Sequence, residues 1–484
     1  MRKKEMIAMI GRKNEQNILN ELYNRNEAEF VAVYGRRRVG KTYLIDETFA
    51  GRITFRHAGL SPADSESKSP MKAQLQAFYY SLLQQGMQKS HAPKDWLEAF
   101  YMLEELLQSK DDGKRQVIFL DELPWMDTAR SGFITALESF WNGWGCHRKN
   151  LMLIVCGSAN SWILNKLVNN HGGLFNRVTY EIKLEPFTLQ ECEECAVSRN
   201  VRLSRYDLAQ GYMILGGIPF YWNYMQAGKS LAQNIDEMFF KKNSKLGQEY
   251  QRLFSSVFSN PEQTQKIVEC LARRSTGYSR ADISENTGIS NGSTMTDLLN
   301  ALIASDFVTK YVPFGYSKRD EYYRLSDPFC IFYLRFVKKH DALDETFWMD
   351  HLCSQAVITW RGIAFENVCM NHIQQIKAAL GIAGISSKQS SWSRKDDMER
   401  GTQIDLLIER KDHVVNMCEI KFYGNEFAVD KDYDRVLRQR QALLETELTR
   451  KQVVHNTLIT TYGLKYNQYS GIFSDVITLD DLFK

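Results

Sequence analysis

The sequence predicts an α/β protein whose N-terminal part is built on a parallel β-sheet. Residues 30–34, 116–120 and 151–156 are short runs dominated by Val, Ile, Leu, Phe and Met. Apolar runs of this length are typical of strands buried on both faces of a sheet. Each run leads into a polar or glycine-containing turn, and strands that alternate with helices favour a parallel sheet covered by helices.

The chain is long enough to form several domains. It has 484 residues, of which 44% are hydrophobic and 12% aromatic, as in folded globular proteins. A single hydrophobic core seldom serves more than ~250–300 residues, so we expect three or four domains. The formal net charge of +3 is nearly balanced, and any nucleic-acid contact would therefore need a local basic patch.

Cysteine usage and hydropathy restrict the location of the protein. The nine cysteines are scattered, and the close pair Cys192 and Cys195 has no second pair or nearby His to complete a zinc site. No apolar run approaches the ~20 residues of a membrane span. These features predict a protein of the reducing cytoplasm without a membrane partner.

The first strand leads into a glycine-rich loop. Residues 35–42 read Gly-Arg-Arg-Arg-Val-Gly-Lys-Thr, which matches the Gly-x4-Gly-Lys-Thr spacing of a phosphate-binding P-loop. The glycines let backbone N–H groups surround a β-phosphate, Lys41 reaches the β and γ phosphates, and Thr42 ligates Mg²⁺. The arginines at 36–38 cannot all be buried beside phosphate, so at least one should point outward or pair with a carboxylate.

The second and third apolar runs predict the rest of a nucleotide site. A buried parallel strand presents side chains at its C-terminal edge, where Asp121 can hold the magnesium shell and Glu122 can polarise a water for attack on the γ-phosphate. After the third run, Ser158 or Asn160 is placed to sense that phosphate. The alternative for both is that they only cap the next helix.

Residues 10 to about 225 resemble the archaeal-type ATPase family within the AAA+/STAND group of P-loop NTPases. The matching segments are Ile10-Gly11-Arg12, residues 35–42, Asp121-Glu122-Leu123-Pro124, Gly157-Ser158 and Gly216-Gly217-Ile218-Pro219. The resemblance implies ATP and Mg²⁺ as ligands, water activation by Glu122, and a helical lid that contains Pro219. The predicted nucleotide contacts are Gly11, Arg12, Gly35, Arg36, Arg37, Arg38, Val39, Gly40, Lys41, Thr42, Tyr43 and Pro219.

Residues 174–177 resemble the Gly-Arg step of that family, although Asn176 replaces the glycine. Arg177 is accordingly a candidate arginine finger, which would neutralise charge on the γ-phosphate. Pairing with a surface carboxylate is the alternative. A finger can act within one chain or between subunits, so a homo-oligomer is a candidate assembly.

The middle of the chain is predicted to be helical. After the lid, helices near 265–271, 279–288 and 293–304 precede a hairpin at 307–312 and 322–325, a pattern typical of a winged helix. The third of these helices has no Lys or Arg. A packing module is therefore favoured over a DNA-binding one, with Lys318 and Arg319 at the hairpin tip as candidate DNA contacts.

The C-terminal part carries a second candidate site. Beyond a linker at 340–347, a helix bears Glu366, and after a polar loop at 386–400 two strands bear Asp405, Glu419 and Lys421. The carboxylates could share a hard cation while Lys421 orients a water. This pattern resembles the PD-(D/E)XK nuclease superfamily, which implies a small α/β domain, a second Mg²⁺ or Mn²⁺ and DNA. An ordinary α/β fold without chemistry is the alternative.

Four domains follow from these patterns: a P-loop ATPase core (1–189), a helical lid (190–258), a winged helix (259–340) and a nuclease-like domain (341–484). The predicted function is ATP hydrolysis whose cycle is coupled to the last two domains. One alternative is a Mg²⁺-dependent DNA nuclease gated by ATP. Another is a STAND-like signalling switch with a non-catalytic C-terminal scaffold.

Overall fold

The computed structural model describes residues 9–61, 69–169, 172–174, 176–258, 260–317, 319–340, 344–395 and 401–484. The chain forms two compact units. The first contains the chain up to Pro186 together with Gln251–Thr264 and Asp297–Asp306. The second contains Phe187–Tyr250, Gln265–Thr296 and Phe307–Lys484.

A five-stranded parallel sheet forms the centre of the first unit. Its strands are β1 (Glu29–Tyr34), β2 (Ile53–Ala58), β3 (Gln116–Asp121), β4 (Leu151–Gly157) and β5 (Tyr180–Lys183). Their order is β2-β3-β4-β1-β5, and every pairing is parallel. The predicted α/β class with a parallel sheet is confirmed, and the carboxyl ends of all five strands lie at one edge.

Helices cover both faces of this sheet, which explains why its central strands are apolar throughout. The helices are α1 (Lys13–Asn24), α2 (Lys41–Thr48), α3 (Pro70–Gln84), α4 (Trp96–Ser109), α5 (Leu123–Met126), α6 (Phe133–Gly143) and α7 (Asn160–Ile163). Along β1, Phe30 and Ala32 pack into the core that contains α3, α4 and α6. Val31 and Val33 pack into the opposite core, beside α1 and α2.

The second unit begins with helices, as the sequence predicts for residues 190–258. They are α8 (Leu189–Ser198), α9 (Arg205–Leu215), α10 (Pro219–Trp222) and α11 (Leu231–Phe239). Gly216 ends α9 with a φ of 61°, and a Cβ on Gly217 would lie 1.9 Å from the carbonyl oxygen of Phe187. The two glycines are therefore required by the turn itself, whereas the role of the segment as a lid stays a prediction.

The following elements stand where the sequence predicts helices and a hairpin. They are α12 (Glu249–Val257), α13 (Pro261–Leu271), β6 (Tyr278–Ser279), α14 (Arg280–Thr287), α15 (Ser293–Ala304), β7 (Val308–Tyr311) and β8 (Tyr322–Leu325). The strands form an antiparallel sheet in the order β6-β8-β7. Their assignment as a winged helix stays a prediction, and Lys318 lies outside the described residues.

The C-terminal part contains a second five-stranded sheet. Its elements are α16 (Pro328–Phe332), α17 (Phe347–His351), α18 (Gln355–Asn371), α19 (Ile373–Ala379), β9 (Ser387–Lys395), β10 (Gly401–Arg410), β11 (Val414–Lys421), α20 (Lys431–Glu445), β12 (Val453–Thr460) and β13 (Asp475–Thr478). The strand order is β13-β12-β11-β10-β9. The pairings of β9, β10 and β11 are antiparallel, and those of β11, β12 and β13 are parallel.

Strand β9 corrects the prediction of a polar loop at 386–400, of which residues 396–400 lie outside the described part. It is an edge strand: one side of its backbone pairs with β10, and the other side pairs with no strand among the described residues. Its sequence, Ser-Lys-Gln-Ser-Ser-Trp-Ser-Arg-Lys, is polar because an edge strand needs few apolar residues, and Trp392 is its buried anchor. The alternation of apolar residues was therefore too weak to mark a strand.

An aromatic cluster holds α16, α17 and α18 together. The ring of Trp360 lies 5.6 Å from that of Phe332, 5.4 Å from Phe336 and 5.7 Å from Trp348, measured between centroids. Trp360 is only 1% exposed.

Within the described chain no helix combines the length and the apolar character that crossing a membrane requires.

We expect Trp360→Ala to lower the free energy of unfolding of the second unit by about 3–5 kcal/mol, because it opens a cavity in this cluster. Urea denaturation followed by tryptophan fluorescence measures the change. Ile358→Ala on the same helix is the control, since Ile358 is 51% exposed and should shift the curve little. Equal effects of the two substitutions would contradict the central place of this cluster.

Candidate nucleotide-binding site and C-terminal cluster

The predicted P-loop connects the carboxyl end of β1 to the first turn of α2. Gly35 has a φ of 151°, and a Cβ there would lie 2.4 Å from the carbonyl oxygen of Leu184. Gly40 immediately precedes α2 and has a φ of 98°, a left-handed conformation that favours glycine. The loop therefore needs both glycines, and it ends at a helix N-terminus, where unpaired N–H groups attract anions.

Lys41 is held inside the loop by three oxygen atoms. Its Nζ atom donates to the carbonyl oxygens of Gly35 at 2.9 Å and Arg36 at 3.2 Å. It also donates to the Ser158 hydroxyl at 3.1 Å. Burial lowers the pKa of Lys41, and the negative charge of Glu122 opposes that shift. The ammonium group thus lies in a position where a phosphate could replace its present partners.

Thr42 and Asp121 form the candidate magnesium pair. The Thr42 hydroxyl donates to Asp121 Oδ2 at 2.8 Å. The other carboxylate oxygen accepts hydrogen bonds from the backbone N–H of Glu122 at 2.9 Å and from the Cys156 thiol at 2.6 Å. A hydroxyl and a carboxylate side by side fit Mg²⁺, which binds oxygen ligands and usually takes only one or two carboxylates together with phosphate oxygens and water.

Glu122 follows β3 and points toward the end of β4. Its backbone has a φ of 45°, in the left-handed region that residues with a Cβ seldom adopt. Its carboxylate accepts hydrogen bonds from the Ser158 N–H at 3.0 Å and the Ser158 hydroxyl at 2.8 Å. Ser158 therefore contacts both Lys41 and Glu122, so its hydroxyl joins the two predicted catalytic side chains.

Asn160 is fully buried and also lies beside the P-loop. Its Oδ1 accepts a hydrogen bond from the Gly35 N–H at 2.9 Å, and its Nδ2 donates to the Ala304 carbonyl oxygen at 2.8 Å. Ala304 is the last residue of α15, whose residues from Asp297 onward belong to the first unit. Sequence reasoning missed this link, because no local pattern connects residues 144 positions apart.

The other predicted nucleotide contacts differ in their burial and in how they meet the loop. Arg12 donates from Nη2 to the carbonyl oxygens of Glu185 at 2.7 Å and Val39 at 3.4 Å, so it supports the loop from outside. Arg36 is 1% exposed, whereas Arg37 and Arg38 are partly exposed, in keeping with the expectation that three cations cannot all be buried. Tyr43 on α2 is 51% exposed.

Arg177 is not brought to the P-loop of its own chain. It is exposed and precedes β5, which is parallel to β1. Its position is therefore near the amino ends of the strands, whereas the P-loop follows the carboxyl end of β1. The strand between them spans about 20 Å at ~3.3 Å per residue. Pro219 begins α10 in the second unit, and its contact with nucleotide stays a prediction.

The four C-terminal candidates lie on α18, β10 and β11, within one unit. Glu419 is bonded on both oxygens: Lys421 Nζ lies 2.7 Å from Oε1, which also accepts from the Tyr433 hydroxyl, and Arg440 donates to Oε2 at 2.6 Å. Asp405 accepts from Gln403 at 2.7 Å. Sequence reasoning missed Tyr433 and Arg440, which come from α20 and carry no motif.

Burial dominates the electrostatics of this cluster. Burial, followed by the charge of Asp405, raises the pKa of Glu366 to about 8. Burial also raises the pKa of Asp405. Burial alone would raise the pKa of Glu419, but the positive charges of Lys421 and Arg440 lower it.

In the present arrangement both carboxylate oxygens of Glu419 already have partners, so neither is free for a divalent cation. Among the described residues no group of three or more His, Cys, Asp or Glu is placed to hold a metal ion. The oxygens of Glu419 would first have to give up two cations and a hydroxyl.

The N-terminal region is similar to a known family of domains. Residues 9–225 match the model of an ATPase domain predominantly from Archaea. An uncharacterized protein of Methanocaldococcus jannaschii, MJECL04, is 23% identical over 444 residues, which are 89% of this chain and 90% of that protein. MJ0423, an uncharacterized ATP-binding protein of the same organism, is 45% identical over 40 residues, 8% of this chain and 68% of that protein.

Among solved structures, three archaeal proteins show partial similarity to this chain. The Walker-type ATPase PABY2304 of Pyrococcus abyssi is 16% identical and covers 68% of this chain and 96% of its own, with a TM-score of 0.46. The ORC2 protein of Aeropyrum pernix is 12% identical, covers 71% and 94%, and has a TM-score of 0.41. Cdc6p of Pyrobaculum aerophilum is 14% identical, covers 68% and 94%, and has a TM-score of 0.32.

The raised pKa of Glu366 predicts a pH-dependent stability. An unfolded chain loses this proton near the usual value of 4.5, whereas the folded chain keeps it up to about 8. The contribution of the protonated group is therefore complete below pH ~4.5 and is lost as the pH rises through about 8. We compare the free energy of unfolding of Glu366→Gln with that of the native protein at each pH. The difference, variant minus native, should be larger at pH 9 than at pH 5 by on the order of a few kcal/mol, because the variant has no carboxyl group to ionise.

Urea denaturation of both proteins across this pH range measures the difference. Glu285→Gln, at an exposed position of α14, is the control and should leave the pH profile unchanged. Parallel pH profiles for the native protein and Glu366→Gln would show that this carboxyl group titrates normally.

Proposed function

We propose that residues 9–225, which match the model of an ATPase domain predominantly from Archaea, bind ATP with Mg²⁺ and hydrolyse it to ADP and phosphate. The observation that carries the proposal is the placement of four side chains at one edge of the sheet. Thr42 is bonded to Asp121, and Ser158 is bonded to both Lys41 and Glu122.

Phosphate binding begins with the loop backbone and Lys41. The N–H groups of residues 35–42 and of the first turn of α2 are the donors for the β-phosphate. Lys41 exchanges the Gly35 and Arg36 carbonyl oxygens for phosphate oxygens. That exchange is favourable because a buried ammonium group gains an anionic partner in place of neutral ones.

Thr42 and Asp121 are the protein ligands that would hold Mg²⁺. When bound, Mg²⁺ neutralises charge on the β and γ phosphates during transfer. Asp121 keeps its orientation through the Glu122 N–H and the Cys156 thiol, which fix one carboxylate oxygen and leave Oδ2 facing Thr42.

Glu122 is the group that would orient the attacking water and accept its proton. Its carboxylate is held by Ser158, whose hydroxyl also contacts Lys41. We infer that Ser158 links the two events: when Lys41 turns to a phosphate, the Ser158 hydroxyl loses its donor and the position of Glu122 changes with it. Asn160 would report the same event to Ala304 through the Gly35 N–H.

Arg177 would serve a neighbouring subunit. Its exposure and its distance from the P-loop of the same chain support action between chains rather than within one. An assembly in which the edge near β5 of one subunit meets the P-loop of the next would supply the missing positive charge.

The remaining finer assignments concern the segment predicted to be a winged helix and the C-terminal cluster. The helix and hairpin pattern of β6 to β8 supports a winged helix, and the lack of Lys and Arg in α15 supports use as a packing module. For the C-terminal cluster, the saturated carboxylate of Glu419 supports a non-catalytic scaffold over a nuclease. A switch that retains nucleotide without turnover is the second candidate function, and it predicts stoichiometric bound nucleotide in the purified protein.

Glu122→Gln should reduce ATP turnover at least 100-fold while nucleotide binding persists, because it removes the base and keeps the shape of the side chain. Phosphate release and fluorescent-ATP titration measure the two properties. Glu47→Gln, an exposed change on α2, is the matched control and should keep full turnover. Unaltered turnover in Glu122→Gln would refute the assignment, and negligible turnover in the native protein with retained nucleotide would favour the switch.

Mixing two inactive proteins tests the subunit proposal. Lys41→Ala lacks a working P-loop, and Arg177→Ala lacks the finger. A mixed interface pairs the intact Arg177 of one chain with the intact P-loop of the other, so we expect ATP turnover to recover to roughly a quarter to half of the native rate. Recovery should disappear on dilution, and full activity of Arg177→Ala alone would exclude the finger role.

A further inference from the structure

The second unit contains a cavity of about 220 Å³ that is open to solvent on one side. Three parts of the unit line it: strands β7 and β8, strands β9 and β10, and the junction of α18 with α19. Its volume is below the ~300–1,000 Å³ of pockets that enclose whole drug-sized ligands. It is suited to one ring system rather than to a complete nucleotide.

Arg324 and Asp405 bring opposite charges to this cavity, which Lys310, paired with Glu321, also lines. Arg324 on β8 lies with its guanidinium carbon 5.5 Å from the centroid of the Tyr311 ring, within cation–π distance. Asp405 on β10 lines another wall, and one of its oxygens accepts from Gln403 at 2.7 Å. Within the part of the chain that the structure describes, no ion pair of 4 Å or less joins Arg324 to Asp405.

Two buried polar groups at the cavity lack protein partners among the described residues. They are the Nε atom of Arg324 and the hydroxyl of Ser390. Ser390 is only 6% exposed. Buried donors and hydroxyls are nearly always hydrogen-bonded in folded proteins, so these two atoms are unpaired polar groups within the cavity wall, while other atoms of Arg324 and Ser390 line the cavity itself.

The cavity also has an apolar part. Met370, Ile373 and Leu406 line it beside the charged groups. A planar ring can pack against such side chains while its edges meet the polar ones. The ligand must therefore combine a flat apolar face with acceptors for a guanidinium group and N–H donors for a carboxylate.

We propose that this cavity binds a guanine base. Guanine presents the O6 and N7 acceptors that arginine recognises in nucleic acids, and Arg324 would donate to them. Its N1–H and N2–H groups are donors that Asp405 would accept. Adenine carries an amino group at the position of O6, so it would set a donor against Arg324, and pyrimidines are smaller than the space.

The base could belong to a free nucleotide or to an unpaired position in a nucleic-acid strand, since in both cases the sugar and phosphate remain at the open side. The proposal does not depend on ATP hydrolysis. To separate the two sites, binding is measured on the full chain carrying Lys41→Ala, which weakens phosphate binding at the P-loop.

Calorimetric titration with GMP and AMP is the first measurement, and we expect at least tenfold tighter binding of GMP. Asp405→Asn in the same background should weaken GMP binding at least tenfold. It should also improve binding of xanthosine monophosphate, whose oxygen at C2 accepts a hydrogen bond from the Asn amide. If Asp405→Asn acted only by disturbing the structure, it would weaken the binding of both nucleotides, and GMP would remain the tighter ligand.

Asp412→Asn is the matched control, because Asp412 is an exposed carboxylate that pairs with Arg410 near the end of β10. It should change neither affinity. A short oligonucleotide with one unpaired guanine, compared with one carrying adenine, decides the source: binding by GMP assigns a free nucleotide, and guanine-selective binding by the strand alone assigns nucleic acid. Equal affinity for guanine and adenine, no guanine binding in either form, or no exchange between guanine and xanthine in Asp405→Asn, measured in the form that binds, would overturn the proposal.

Discussion

The buried ammonium group of Lys41 is the constraint on which the nucleotide site depends. A charge removed from water is costly unless polar groups surround it, and here the Gly35 and Arg36 carbonyls and the Ser158 hydroxyl do so. Those partners fix the curvature of the loop and the end of β4. Glu122 lies near Lys41 for two reasons. Its negative charge opposes the lowering of the Lys41 pKa by burial, and its carboxylate accepts a hydrogen bond from the same Ser158 hydroxyl.

The sequence was informative where function depends on neighbours along the chain. The spacing of Gly35, Gly40 and Lys41 predicted the loop, because backbone conformation and phosphate geometry restrict which residues can stand there. The apolar runs predicted the parallel sheet for a similar reason: both faces of each strand are covered. Strand β9 was missed because it lies at a sheet edge, where alternation is weak, and its polar residues are common in loops as well.

Long-range contacts explain the rest of the difference between prediction and structure. The bond from Asn160 to Ala304 and the bonds of Tyr433 and Arg440 to Glu419 join segments that no motif relates. In the C-terminal cluster this changes the chemistry. Carboxylates on neighbouring strands predict a metal site only if their oxygens are available to a metal ion. The oxygens of Glu419 are instead bonded to two cationic side chains and a hydroxyl.

The side-chain amide of Asn160 is hydrogen-bonded to the P-loop at one end and to the last residue of α15 at the other. One side of its amide accepts from the Gly35 N–H and the other donates to Ala304, so a shift of Gly35 on phosphate binding must stretch one bond or carry the end of α15 with it. The end of α15 is restrained further by Asp306, whose carboxylate lies 2.6 Å from Lys183, the last residue of β5. A buried side-chain amide that is hydrogen-bonded through both its oxygen and its nitrogen has few other conformations available. The position of the Gly35 backbone and that of the end of α15 are therefore tied to each other within the first unit.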